Sequence, residues 1–183
     1  MKYYKTLLRS FLFCAIGVFA VSCVKDVDLD QAQDIGLSPD IQTDLLIYDV
    51  DESDFMDPET KEMKQVIMDT VRLEFLDDDY IQNDLTALEL NFIHQNSFPQ
   101  AFDTKVRFLS ESNREQFRVE YTVVAGSETD PATTEITKMV SKDEIGKVKR
   151  SIKMVVELEP KTNGKEFAGE LQFASKGLFR FQF

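Results

Sequence analysis

The stretch Phe117-Arg118-Val119-Glu120-Tyr121-Thr122-Val123 decides the fold class, because apolar and polar side chains alternate along it. Alternation with a period of two places one set of side chains on a buried face and the other in water, as in a sheet strand. The same period recurs at Val71-Leu73-Phe75, Leu88-Leu90-Phe92, Thr104-Val106-Phe108, Ile152-Met154-Val156-Leu158, Phe167, Leu171, Phe173, Phe179, Phe181 and Phe183. Many short strands at this spacing predict an all-β sandwich or barrel.

Turn signals separate these segments, and one helix interrupts them. The turns are expected at Asp77-Asp78-Asp79, 96–99, Gly126-Ser127, Asp130-Pro131, 160–164 and Lys176-Gly177. Ser141-Lys142-Asp143-Glu144 fits the S-x-x-E capping box, and basic residues follow in what would be the last turn. We predict a helix of two to three turns there, crossing from one sheet to the other.

The order of these elements resembles the immunoglobulin-like modules of Bacteroidota lipoproteins. The segments that carry this resemblance are Leu88–Phe92, the turn at Asn96–Pro99, Thr104–Leu109, the helix after Ser141 and the strand from Ile152 to Leu158. The resemblance implies an antiparallel immunoglobulin-like β-sandwich with one short helix, which we place at residues 41–183. It implies no catalytic residues.

The N-terminal residues have the composition of a secretory signal. Lys2, Lys5 and Arg9 are followed by an apolar run from Phe11 to Val21, which is too short to span a bilayer as a helix. The run ends in Ala20-Val21-Ser22-Cys23, which resembles the bacterial lipobox, with Ala20 where leucine is usual. This resemblance implies cleavage after a signal peptide at residues 1–22. It also implies that Cys23 becomes the N-terminus and carries covalent diacylglycerol and an N-acyl group.

A polar, acidic segment follows Cys23 and predicts a flexible tether at residues 23–40. Its Lys25, Asp26, Asp28 and Asp30 resemble the surface-export signal of Bacteroidota lipoproteins, although a merely solvated linker explains them equally well. We therefore expect an outer-membrane lipoprotein, with the face of the membrane left open.

Charge and cysteine content limit the function further. The whole chain has a net charge of −12, and loss of the three signal cations leaves 18 Lys and Arg against 33 Asp and Glu, a net of −15. Such a charge disfavours binding to nucleic acid. Cys14 would leave with the signal, and acylated Cys23 would be the one remaining cysteine, so a disulfide is not expected.

Residues for catalysis are few, and we expect no enzyme and no cofactor besides the lipid. The single histidine, His94, lies on a predicted strand, and a satisfied or exposed sheet histidine is favoured over a catalytic one. Acidic clusters at Asp49–Asp57 and at Asp77, Asp78 and Asp79 are weak calcium candidates without the helix-loop-helix spacing. Tyr80 is the one candidate for an exposed sugar platform.

Three functions remain open at this stage. The leading hypothesis is a non-enzymatic accessory or interaction module, anchored to the membrane by lipid and acting with other envelope proteins. A glycan- or calcium-binding surface module is the alternative. A small outer-membrane β-barrel is the third, because Phe179, Phe181 and the terminal Phe183 resemble a final barrel strand. Charged residues opposite the apolar positions count against the barrel.

Overall fold

Two four-stranded antiparallel sheets make up residues 37–183, the part of the chain that the computed structural model describes. The signal peptide, the lipobox, the export signal and most of the tether lie outside the described residues. The strands are β1 (Asp40–Asp51), β2 (Ile67–Arg72), β3 (Leu85–Asn96), β4 (Phe102–Leu109), β5 (Glu115–Val123), β6 (Ala132–Val140), β7 (Lys153–Pro160) and β8 (Glu170–Phe181). The order is β1-β8-β3-β6 in one sheet and β2-β7-β4-β5 in the other.

Within residues 37–183 two helices accompany the sheets, whereas the sequence predicted one, because the Asp77–Asp79 segment was taken as a turn. α1 spans Asp79–Asp84 and directly follows a 3₁₀ turn at Glu74–Asp77, while α2 spans Lys142–Lys149. The capping box predicted for α2 is present: the Ser141 side chain accepts from the backbone N–H of Glu144, and the Glu144 carboxylate accepts from the Ser141 backbone N–H at 3.3 Å. The Ser141 hydroxyl also donates to that carboxylate, at 2.9 Å. α2 follows β6 of one sheet and precedes β7 of the other, so the predicted crossing is confirmed.

The buried side chains form a core between the two sheets. The larger part contains Leu88, Leu90, Phe92, Val106, Phe108, Met154 and Phe173, which are contributed by strands β3, β4, β7 and β8. A second part holds four aromatic rings, Phe55, Phe98, Phe102 and Phe167, which we call the phenylalanine cluster. The sequence prediction of an all-β sandwich is therefore confirmed at the level of two antiparallel sheets.

The predicted strand at Val71–Phe75 is partly wrong. β2 ends at Arg72, where its partner β7 begins at Lys153, and the chain then turns through the 3₁₀ segment. The ring of Phe75 packs edge-on against Phe179 at 5.6 Å between centroids. An apolar residue is favoured at position 75 because it packs against Phe179, although the residue lies outside the sheet.

The predicted turn at Lys176-Gly177 is wrong as well. Both residues lie inside β8, a single twelve-residue strand paired with β1 on one side and β3 on the other. A Cβ atom on Gly177 would lie 2.4 Å from the Phe179 ring. The glycine therefore makes room for an aromatic ring in a central strand, and the turn interpretation confused a packing requirement with a change of direction.

Strands β1 and β6 were not predicted, and both lie at sheet edges. In β1 the register shifts between Asp44 and Leu46, so the apolar residues do not keep a strict period of two. The Ser175 hydroxyl replaces the missing ladder contacts there, accepting from the Leu46 N–H at 3.0 Å and donating to its carbonyl at 3.1 Å. A bulge of this kind hides a strand from pattern analysis.

Candidate functional site

Within residues 37–183 a groove opens between one edge of each sheet. β1 and β2 are the edge strands on this side, whereas on the opposite side β5 and β6 approach each other. The groove has a volume of about 440 Å³ and reaches down to Val156 and Leu158 of β7, both buried in the core. Tyr48–Val50 of β1 and Ile67–Asp69 of β2 form its two long sides. We call this feature the lateral groove.

The segment between β1 and β2 closes one end of the lateral groove. It folds back on itself, since Asp57 N–H donates to the Glu62 carbonyl at 2.8 Å and Lys64 N–H donates to the Phe55 carbonyl at 2.7 Å. Phe55 is fully buried, and its ring lies 5.0 Å from Phe167 and 5.7 Å from Phe102. One aromatic side chain thus fixes the wall that carries Asp54, Lys64 and Val66.

Acidic groups outnumber basic ones around the lateral groove. Asp49, Asp54 and Asp69 line it together with a single ammonium, that of Lys64. The Lys64 ammonium donates to the backbone carbonyl of Asp54 at 3.1 Å, so it stabilises the segment that forms the wall of the groove. The charge around the lateral groove is therefore negative. The apolar floor of the groove has a low dielectric constant, which strengthens the attraction of these carboxylates for a cation.

Tyr48 contributes a neutral hydroxyl to the lateral groove. Burial, and then the nearby Asp69 carboxylate, raise the pKa of Tyr48 well above its ordinary value. Its ring packs on Phe173 at 5.1 Å between centroids. The side chain thus connects the groove to the core and stays protonated at all physiological pH values.

The rim of the lateral groove exposes apolar side chains. Met68 on β2 is 63% exposed, and Val66 beside it is also exposed. Single exposed apolar residues are common on protein surfaces, but these two flank a depression with an apolar floor. The combination is typical of a surface that a partner covers.

His94 lies far from solvent and takes no part in the lateral groove. It is fully buried on β3, and its Nε2 is 2.8 Å from the hydroxyl of Tyr121 on β5, in the opposite sheet. Burial lowers the pKa of His94 to about 3, so the imidazole is neutral. Nδ1 has no hydrogen-bond partner within residues 37–183. The prediction of a satisfied sheet histidine holds for one ring nitrogen only.

The acidic clusters predicted from the sequence are separated by the fold. Asp51 accepts from the N–H and the hydroxyl of Ser53, and Asp57 accepts from the N–H groups of Glu59 and Thr60. These hydrogen bonds lower the pKa of both carboxyls and tie them into local turns. From the same cluster only Asp49 and Asp54 reach the lateral groove.

Asp77, Asp78 and Asp79 lie where the 3₁₀ turn passes into α1. Asp78 is the N-cap residue of α1, and Asp79 begins its first turn. Within residues 37–183 no group of three or more His, Cys, Asp or Glu side chains converges as metal ligands would. The structure thus gives these three carboxylates a position at a helix start and does not bring them together.

Tyr80 lies in α1 and is 39% exposed. Its ring packs on Phe181 with 5.6 Å between centroids, and this burial, followed by the Asp78 carboxylate, raises its pKa. The side chain is therefore exposed, as predicted, while its ring also contacts Phe181. Cys23, the cleavage residues Ala20, Val21 and Ser22, and the export-signal residues lie outside the described residues.

Asp69 was not predicted from the sequence, although its carboxylate lines the lateral groove and acts on Tyr48. In β2 the alternation places Ile67, Asp69 and Val71 on one face, and Ile67 and Val71 pack against the core. A carboxylate in the inward register of a short strand was the available signal. It was overlooked because the strand was predicted to begin at Val71, four residues after its start at Ile67.

Comparisons with known proteins give distant structural matches. No family model and no curated protein matches the sequence. A protein of Parabacteroides distasonis described as secreted aligns at 17% identity and a TM-score of 0.44, over 62% of this chain and 38% of that one. The VP2 subviral particle of infectious bursal disease virus aligns at 8% identity and a TM-score of 0.47, over 78% and 32%.

The chain spans well under half of either solved protein, and neither alignment bears on function. Among residues 37–183, none of the helices has the length and apolar character needed to cross a bilayer.

Proposed function

We propose that this protein is an outer-membrane lipoprotein whose immunoglobulin-like sandwich is a non-enzymatic interaction module of the cell envelope. The observation that carries the proposal is the lateral groove between β1 and β2, with its apolar floor, exposed Met68 and three carboxylates. The buried position of His94 also supports a non-enzymatic role, because its ring has no access to a substrate at the surface. The lipobox at Cys23 supports the anchoring.

Anchoring is tested by replacing the lipidated cysteine. For Cys23→Ser we expect loss of labelling by a fatty acid, accumulation of uncleaved precursor and loss of the chain from the outer-membrane fraction, because serine offers no thiol for the diacylglyceryl group. The measurements are metabolic labelling with radioactive palmitate, intact mass and membrane fractionation.

Cys14 provides the matched control for this experiment, since it lies in the apolar core of the predicted signal peptide. Cys14→Ser should be labelled, cleaved and sorted like the wild type. A Cys23→Ser chain that still took up palmitate and sedimented with the outer membrane would overturn the lipoprotein assignment.

Docking at the lateral groove is tested by site-specific photo-crosslinking in living cells. A photoreactive amino acid replaces Met68, which is 63% exposed at the groove rim, or Met139, which is 52% exposed on β6 at the far edge. We expect a discrete crosslink to an envelope protein from position 68 and none from position 139. Absence of a crosslink at position 68, or equal crosslinking from both, would contradict the proposal.

A further inference from the structure

We infer that the lateral groove binds a basic, extended segment of its partner, which adds as a strand to the free edge of β1. This inference rests on the proposed function and specifies the chemistry of the partner. Three features support it: the backbone edge of β1, the apolar floor of the groove and the charge around it.

The backbone of β1 offers a long free edge. Within the described residues β1 pairs with β8 alone, and an edge strand presents a row of unpaired N–H and C=O groups to an incoming chain. The bulge at Asp44/Leu46 interrupts this edge, and regular pairing with β8 resumes from Leu46 to Asp51. This six-residue stretch contains the groove residues Tyr48–Val50, so the site suits an added strand of about six residues.

The floor of the groove suits the side chains of such a strand. Every second side chain of an added strand would point inward toward Val156 and Leu158, and the others would point outward. The volume of about 440 Å³ lies at the small end of ligand pockets, so the inward side chains of the strand, and not its whole backbone, would enter the groove. Small and medium apolar residues at alternate positions are therefore favoured.

Charge selects the partner among possible strands. Asp54 and Asp69 line the groove that an incoming segment would enter, and the one groove ammonium already donates to the chain's own backbone. Asp49 lies between the inward-packed Tyr48 and Val50, so its side chain is on the outer face of β1, next to the outward side chains of an added strand. A second copy of the processed chain is disfavoured, because its net charge of −15 (18 Lys and Arg against 33 Asp and Glu) would be repelled. Acidic side chains at the edge of a sheet also disfavour hydrogen bonding of that edge to unrelated strands. The same carboxylates thus exclude acidic strands and admit those carrying Lys or Arg.

Three eight-residue peptides test this inference on the processed, lipid-modified chain in neutral detergent. One alternates valine and lysine, the second alternates valine and glutamate, and the third is the lysine peptide with proline in place of two valines. We expect only the first to bind, with an affinity that falls as salt is raised, because exposed charge pairs are screened. Binding should slow amide hydrogen exchange in residues 46–51.

Asp69→Asn should weaken the lysine peptide about fivefold, the effect of one exposed ion pair. Glu128→Gln is the matched control, because it removes one negative charge at an exposed position in the loop between β5 and β6, and it should leave binding unchanged. Equal binding of the glutamate or proline peptide, no binding of the lysine peptide, or equal effects of the two substitutions would overturn the inference.

The failures of the two proposals are distinguishable. If position 68 still crosslinks to an envelope protein while the lysine peptide does not bind, strand recognition is wrong and the interaction module stands. If neither is observed, both proposals fall.

Discussion

Phe55→Ala is expected to lower the free energy of unfolding by about 3 to 5 kcal/mol, the range for removing a fully buried phenylalanine. The ring is inaccessible to solvent and touches three other rings of the phenylalanine cluster, at 5.0 to 6.0 Å between centroids. Its neighbours belong to three other parts of the chain, so they cannot all move into the space that the ring leaves. Chemical unfolding followed by far-ultraviolet circular dichroism measures the loss.

Met56 supplies the control, because it is adjacent in sequence but 38% exposed. Met56→Ala should cost about 1 kcal/mol or less. Phe55→Ala should also weaken peptide binding at the lateral groove, since Phe55 holds the wall that carries Asp54 and Lys64. Similar losses of stability for the two variants would show that the segment is not fixed by Phe55.

Acid is expected to destabilise the protein through His94. The folded-state pKa is lowered to about 3 by burial, whereas the unfolded chain has the ordinary value near 6.5. Below pH 6.5 the unfolded state therefore takes up a proton that the folded state does not bind, and stability falls. Between pH 6.5 and pH 4.5 this amounts to roughly 2 to 3 kcal/mol. Above pH 6.5 the contribution is constant.

The carboxyl groups act in a lower pH window. Hydrogen bonds lower the pKa values of Asp51, Asp57 and Glu144, and a hydrogen bond from Lys161 does so for Asp103. Their stabilisation is present above the unfolded values near 4 and is lost as pH falls below them. The interval from pH 6.5 to 4.5 therefore reports mainly on His94.

The measurement is unfolding by denaturant at a series of pH values, together with the imidazole proton resonances. His94 is the single histidine of the chain, so its signal needs no assignment. In the folded protein the resonance should not titrate between pH 8 and 4.5. The double variant His94→Phe/Tyr121→Phe, which leaves neither hydrogen-bond partner alone, should lack the stability loss in this interval. A resonance that titrates near pH 6.5 would refute the assignment.

Local chemistry accounts for much of what could be predicted about the fold. Central strands such as β3 and β4 bury every second side chain, and that pattern is visible in any window of seven residues. The start of α2 was equally predictable, because Ser141 and Glu144 form hydrogen bonds with each other within one turn. Edge strands gave a weaker signal, since β6 buries few residues and β1 contains a bulge.

The lateral groove could not be predicted in the same way. Asp49, Asp54 and Asp69 are spread over 21 positions of the sequence and lie on β1, in the segment after it and on β2. They line the same groove only because β1 and β2 are edge strands on the same side of the sandwich. The acidic clusters that stood out in the sequence were grouped by proximity along the chain. In the fold, Asp51 and Asp57 are held in local turns, and Asp49 and Asp54 line the groove together with Asp69 from another strand.

The sequence by itself determined the all-β class, the position and cap of α2 and the apolar faces of the central strands, because each depends on residues within one turn or one strand. It also contains the lipobox-like segment at Cys23, on which the proposed location at the outer membrane depends. Only the tertiary structure decided which strands lie at the edges, that β8 runs unbroken through Gly177, and that His94 is buried against Tyr121. These outcomes depend on pairings between residues far apart in the chain, and no local pattern encodes the order of strands in a sheet.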